Sequence, residues 1–337
     1  MTWTGPETRG WPFPMFHGHE SGMFHGHESG ALMICHATDQ TALARGHSGG
    51  LIARSTAVAL LIMRHNYLGS VFLESGPASM TEAPIAVLGL GEAGSAFASG
   101  LVAAGGPVRG FDPITTVPPG VVNCLDEADA VSTAGLILSV NTARTAFSVF
   151  QAAADHVAVG AVWADMNTTE PTLKRRLSAL ASERGVAFAD IAIMTSVPGR
   201  GLATPLLASG EGARRAAMLL GAYGACVEVL DEPAGAASQR KLLRSVFYKG
   251  MAAAVVEALA AARALGLEEW LWHNIAQELA SSSEQSLHRI VSGTYRHAAR
   301  RADEMVAAAT MLAELGVEPD IARAAEVSLR RLSAGPG

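Results

Sequence analysis

Three groups of residues have the types and spacing that could do chemistry. Gly89-Leu90-Gly91-Glu92-Ala93-Gly94 is a complete G-x-G-x-x-G. It follows the apolar run Ile85-Ala86-Val87-Leu88 and opens a helix-like stretch, 95–104, that stops at Gly105-Gly106. Each glycine then has its own role. The first permits a tight turn, the second lets backbone approach a diphosphate, and the third lets helix and strand pack closely. The helix start offers unpaired N–H groups and a partial positive charge to phosphate. Asp112 is the second group. It lies 18 residues after Gly94, at the end of the strand-like run Val108-Arg109-Gly110-Phe111. A carboxylate there accepts from ribose hydroxyls and repels a 2′-phosphate, which favours NAD over NADP. Two features oppose this: Arg109 is close by, and Asp112 also opens an Asp-Pro turn. The third group is cationic. The chain holds 22 Arg but only 3 Lys, namely Lys174, Lys241 and Lys249. A lysine amine desolvated beside other cations can donate and accept a proton near neutral pH.

Other elements must position these groups. Apolar strand-like runs recur at 135–140, 157–166 and 186–193. They end respectively in Asn141-Thr142, Asn167-Thr168-Thr169 and Met194-Thr195-Ser196. Ligands of open α/β sheets bind beyond the carboxyl ends of the strands, so these small polar residues are candidate contacts. Helix capping is the competing reading for each. Val197-Pro198-Gly199-Arg200-Gly201 displays Arg200 on a turn, where a guanidinium fork could hold an anion. From 235 the chain reads as helix: a long proline-free stretch at 235–266, then helices at 267–287, 294–315 and 320–332. Lys241 and Ser245 are four apart and share a face of the long helix. The expected architecture is a Rossmann-type doubly wound α/β sheet followed by an all-α C-terminal domain, joined by a long helix. The expected domains are an N-terminal extension (1–79), a dinucleotide-binding domain (80–234) and a helical substrate or dimerisation domain (235–335).

Several function classes drop out. A net charge of -6 without any basic run argues against nucleic acid as a partner. Cys35, Cys124 and Cys226 are far apart in the chain, which argues against a disulfide scaffold and fits a reducing, cytoplasmic setting. Residues 1–79 hold seven of the eleven His and a tandem octapeptide, MFHGHESG, at 15–22 and 23–30. His17, His19, His25 and His27 match no standard zinc spacing, so no metal is expected. The apolar run 51–63 contains Arg54 and falls short of the roughly 20 residues a bilayer span needs, so no membrane partner is expected. Partial helix within 51–75 is compatible with its composition.

Taken together, the chain resembles the β-hydroxyacid dehydrogenase superfamily, which includes 3-hydroxyisobutyrate and 6-phosphogluconate dehydrogenases. Four ordered elements carry the resemblance over about 80–335. They are the 87–94 fingerprint, Asp165-Met166-Asn167-Thr168-Thr169-Glu170-Pro171, the 190–199 segment in the place of a substrate loop, and Gly235-Ala236-Ala237-Ser238-Gln239-Arg240-Lys241. The resemblance implies NAD or NADP bound by Gly89, Leu90, Gly91, Glu92, Ala93, Gly94, Asp112, Asn141, Thr142 and Asn167. It implies hydride transfer to or from a small, anionic β-hydroxy acid or related carbonyl, with Lys241 as general acid/base. Substrate contacts would come from Thr195, Ser196, Arg200, Arg244 and Ser245. A long linking helix with an all-α cap also suggests a homodimer through the C-terminal helices.

The departures set limits. Arg244 and Ser245 stand where the family has Asn, Met194-Thr195-Ser196 replaces Ser-Gly-Gly, and Asp303-Glu304 replaces a Lys-Asp pair. The substrate is therefore not carried over. The nearest branch has a C-terminal domain without assigned function. Two alternatives stay open: an imine reductase-like enzyme, whose relatives usually lack this lysine, and a non-catalytic dinucleotide-binding protein.

Overall fold

A computed structural model describes residues 83–335 and an isolated strand at 32–34. The octapeptide repeat, its histidines and the 51–75 stretch lie outside the described residues. The sheet has nine strands in chain order: β1 (Leu32–Ile34), β2 (Ile85–Leu88), β3 (Val108–Phe111), β4 (Val122–Asn123), β5 (Leu136–Ser139), β6 (Val162–Asp165), β7 (Ala187–Ile193), β8 (Leu206–Ser209) and β9 (Val227–Val229). Their spatial order is β1-β9-β8-β7-β6-β5-β2-β3-β4. Pairing is parallel except at β7–β8 and β1–β9. β1 comes from the expected N-terminal extension, so part of that segment extends the edge of the sheet. Cys226, one residue before β9, is disulfide-bonded, which the wide spacing of the cysteines did not reveal.

Five helices alternate with the strands: α1 (Glu92–Ala103), α2 (Glu127–Val131), α3 (Ala146–Ala153), α4 (Pro171–Glu183) and α5 (Ala213–Gly221). The central strands are buried on both faces, as continuous apolar runs require. One core joins Phe97 and Leu101 of α1 and Leu220 of α5 to the sheet. The other joins Phe150 of α3 and Leu177 of α4 to Trp163 of β6. Phe150 and Trp163 meet edge to face at 4.9 Å. Each such large side chain contributes about 1.5–3 kcal/mol by burial. Chain order runs outward from β2 on one side and from β5 on the other. The switch point between them is where an open sheet of this kind leaves a crevice.

The C-terminal region is helical: α6 (Ala236–Ala264), α7 (Glu268–Ala280), α8 (Glu284–Arg296), α9 (Ala298–Glu314) and α10 (Asp320–Ser333). The helix expected over 267–287 is two helices. The chain breaks at Ser281-Ser282-Ser283, and the Ser283 hydroxyl caps α8 by accepting from the Ser286 N–H at 3.2 Å. A second break, at His297, moves the next helix start from 294 to 298. Among the described helices, α6 is long and apolar enough, by length and composition, to cross a membrane. Its first turn is nevertheless tied to the sheet by buried hydrogen bonds.

Candidate active site

A cavity of about 580 Å³ opens at the switch point, beyond the carboxyl ends of β2 and β5. That is within the usual size range of a ligand pocket, about 300–1,000 Å³. Its floor is the glycine turn. Gly89 has φ +90°, and a β-carbon there would meet the Val140 carbonyl oxygen at 2.6 Å. A β-carbon on Gly94 would lie 1.9 Å from the Gly89 carbonyl oxygen, so this glycine is a packing requirement. Gly91 is different: a β-carbon there meets nothing within 4 Å and would enter the open cavity. Gly91 is also the N-cap of α1 and offers no side-chain cap, which leaves first-turn N–H groups free for a ligand.

Asp112 lines the cavity and also braces the turn. Its carboxylate accepts from the Leu90 N–H at 2.7 Å and from the Ile114 and Thr115 N–H groups at 2.8 Å each. Burial pushes this carboxyl up, but the three N–H donors outweigh it and hold it below its ordinary value. The residue is thus a turn anchor and remains a charged wall of the cavity. Leu90 itself is buried in the core, with its N–H used by Asp112. Arg109 does not line the cavity; it pairs with Asp129 of α2 at 2.6 Å. Glu92 and Glu127 add further acidity to the lining, along with Asp112.

Asn141, Thr142 and Asn167 line the wall next to the turn. Asn141 and Asn167 both donate through Nδ2 to the Ser139 hydroxyl, at 3.1 and 3.0 Å. Asn167 is only 3% exposed and its Oδ1 has no partner within the protein. A buried amide oxygen of this kind is an acceptor awaiting a donor.

Lys241 reaches the same cavity from α6. It is half-buried, and desolvation, assisted by the like charges of Lys174 and Lys249 and opposed by Asp190, lowers its pKa from 10.5 to about 8. The structure therefore brings Lys241, Asp112, Asn141, Thr142 and Asn167 to one cavity with the glycine turn. It does not bring the expected substrate residues there. Thr195, Ser196 and Arg200 are exposed on the segment after β7. Ser245 is partly exposed on α6, and Arg244 lies over the Tyr248 ring at 4.1 Å. Thr168, one of the small polar residues after the strands, lines the cavity too, and Thr145 and Ser148 line it without having been singled out in the sequence. So does Met166, just past β6.

A buried ionic cluster joins the first residues of two of the quoted segments, Asp165 and Asp190, to α4. Lys174 is fully buried between Asp165, at 2.9 Å, and Asp190, at 3.1 Å. Two signals in the sequence mark it: the scarcity of lysine, and an aspartate inside each of two otherwise apolar strands.

A second cavity, of about 500 Å³, lies between α6, α7, α9 and α10, lined by residues such as Ala258, Trp270, Met305 and Leu312. Its charged member, Glu257, is committed to the Ile321 and Ala322 N–H groups at the start of α10, so it offers no acid–base chemistry.

Comparison with known proteins supports a dinucleotide-binding fold. Residues 84–230 match the NAD-binding domain of 6-phosphogluconate dehydrogenase, and residues 262–332 match a domain of unknown function, DUF1932. A conserved protein of unknown function, whose structure resembles 3-hydroxyacid dehydrogenases, is 30% identical over 74% of this chain and 98% of its own, with a TM-score of 0.47. An uncharacterised 28.5 kDa protein of Methanothermus fervidus is 26% identical over 55% of this chain and 71% of its own. A reductive aminase from Aspergillus terreus, solved with NADPH4, cyclohexanone and allyl amine, shares the fold. It is 18% identical over 76% of this chain and 96% of its own, with a TM-score of 0.63.

Proposed function

We propose, for a chain that belongs to the 6-phosphogluconate dehydrogenase-like family through its NAD-binding domain and carries a DUF1932 domain after it, the function of an NAD-dependent oxidoreductase acting on a small anionic hydroxy acid or related carbonyl. The observation that carries the reading is one cavity shared by the glycine turn and the amine of Lys241. The residues fit a dinucleotide. Gly91 leaves room at the α1 N-terminus for a diphosphate, and Asn167 holds a buried unpaired acceptor. A nicotinamide bound in the cavity supplies or accepts the hydride. Lys241 handles the proton: its neutral amine takes one from the alcohol in oxidation, and its ammonium gives one to the carbonyl oxygen in reduction.

The pH dependence follows from the lowered pKa. Oxidation needs neutral Lys241, so kcat/KM for an alcohol rises with pH and levels off above about 8. Reduction needs the ammonium, so its kcat/KM falls as pH rises through about 8. Steady-state profiles in both directions check this, and the absence of either limb excludes Lys241 as the proton carrier.

Asp112, Glu92 and Glu127 support NAD over NADP, because a 2′-phosphate near three carboxylates is repelled. Asp112→Ser loosens the turn for both cofactors, so the informative quantity is a ratio. The NAD/NADP ratio of kcat/KM is expected to fall by roughly tenfold, about 1.4 kcal/mol. An unchanged ratio reduces Asp112 to a turn anchor.

A homodimer through the C-terminal helices belongs to the same reading. Leu243, Val246 and Phe247, at helical spacing on α6, are each more than half exposed, an apolar face suited to a second copy.

Turnover of short hydroxy acids in a panel that also holds aldehydes and cyclic imines tests the function. Turnover of imines alone assigns the site to C=N reduction, as in the reductive aminase of the same fold. Tight dinucleotide binding with no turnover assigns it a non-catalytic role.

A further inference from the structure

We propose that Lys174 is the positioning residue of this site: held between Asp165 and Asp190, it ties the first turn of α6, and with it Lys241, to the strand ends that carry the cavity's amides. The catalytic part of this rests on the oxidoreductase reading above; the positioning part rests on geometry alone.

Asp165 and Asp190 are register partners on β6 and β7, so two carboxylates stand side by side in a fully buried place. Lys174 comes from α4, donates hydrogen bonds to the Asp165 carbonyl at 2.8 Å and Asp165 Oδ1 at 2.9 Å, and forms an ion pair with Asp190 Oδ1 at 3.1 Å. On one side, Asp190 holds the start of α6. Its Oδ2 accepts from the Gly235 and Ser238 N–H groups at 3.0 Å each, and its Oδ1 from the Ser238 hydroxyl at 2.6 Å. The Ser209 hydroxyl donates to Asp190 at 3.3 Å and accepts from the Ala237 N–H at 3.0 Å. The cluster carries two carboxylates against one ammonium, and the α6 N-terminus supplies the remaining positive potential. On the other side, Asp165 Oδ1 accepts from the Asn167 N–H at 2.9 Å, and Asn167 and Asn141 share the Ser139 hydroxyl. One continuous polar chain thus joins the cavity's two asparagines to the helical turn that precedes Lys241 by three residues.

Stability alone is a weak reason for such a cluster, because apolar side chains of the same volume often serve as well. What it supplies is direction. Charged hydrogen bonds fix which way the first turn of α6 leaves the sheet, and that exit direction sets where Lys241 meets the cavity. Displacements of about 1 Å can cost 10²-fold in rate.

The charged groups that act on Lys241 are Lys174 on α4, Lys249 on α6 and Asp190 on β7. Removing Lys174 takes away a like charge and loosens the turn, and both changes raise the Lys241 titration midpoint. The chain has three lysines, so ¹⁵N-lysine labelling of the full-length protein gives one resonance for each, without substrate or turnover. In Lys174→Met the Lys241 midpoint is expected to move up and kcat to fall at least about tenfold. Ser238→Ala keeps both ion pairs and loses the 2.6 Å bond. It carries the test if Lys174→Met does not fold, and its Lys241 midpoint is expected to move in the same direction. A folded variant with an unmoved Lys241 midpoint overturns the proposal. A wild-type protein with no turnover at all would instead sink the oxidoreductase reading, leaving the titration to decide the positioning claim.

Discussion

Lys241→Met is expected to lower turnover by about 10²–10⁴-fold, the usual contribution of a general acid or base. That corresponds to roughly 3–5 kcal/mol of transition-state stabilisation. Met keeps a flexible apolar chain of similar length and removes the amine, so the fold should persist. The proposed diphosphate site is built from the 89–94 turn and the α1 N-terminus, apart from this side chain. Dinucleotide affinity, followed by fluorescence titration, should therefore shift by no more than about threefold. The split between kcat and Kd is the informative part. A loss confined to binding would make Lys241 a cofactor contact, and a loss in turnover below about tenfold would remove it from proton transfer.

The second large effect comes from a pair of glycines three residues apart. Gly91→Ala adds a methyl group into open space at φ -63°, a conformation any residue accepts. Thermal stability should stay within about 0.5 kcal/mol of the parent. Dinucleotide affinity should nonetheless fall about tenfold to a hundredfold, because the methyl occupies the space through which backbone N–H groups reach a diphosphate. Gly94→Ala reverses the order of effects. Its β-carbon would sit 1.9 Å from the Gly89 carbonyl oxygen, so the α1–β2 packing must open. A loss on the order of 2–3 kcal/mol in stability is expected first, and loss of binding follows from it. Denaturation with and without dinucleotide separates the two cases. Equal stability losses in both variants would mean that the turn does not face a ligand.

The local part of this site is legible in the sequence because it is contiguous. β2, the glycine turn, α1, β3 and Asp112 fall within a span of 28 residues, and each step has a local cause: an apolar run, three glycines, a helix former, an acid. Lys241 is not derivable this way. It stands out by the rarity of lysine and by resemblance, and only the crossing of α6 over the sheet brings it to the turn. The Asp165–Lys174–Asp190 cluster is hidden for the same reason. Its hydrogen bonds join residues up to 48 apart, and strand register, which periodicity cannot supply, aligns the two aspartates. The break at Ser281-Ser282-Ser283 escaped because apolar spacing continues across it, while capping by Ser283 is a local competitor that pattern matching alone does not weigh. Arg244 is a further case in which sequence neighbours do not fix a side chain's place. The resemblance implies a substrate contact for it, and in the structure its guanidinium lies over the Tyr248 ring, one turn along the helix.

Everything turns on whether the amine of Lys241 meets the reacting end of a dinucleotide whose diphosphate rests on the 89–94 turn. A crystal structure of the protein with oxidised dinucleotide and a short hydroxy acid measures that directly. The expected result places the diphosphate against Gly91 and the α1 N-terminus, with Lys241 Nζ about 2.6–3.2 Å from the substrate hydroxyl. A dinucleotide bound with its nicotinamide directed away from α6, or a substrate oxygen held by some other proton donor while Lys241 points to solvent, would contradict the account.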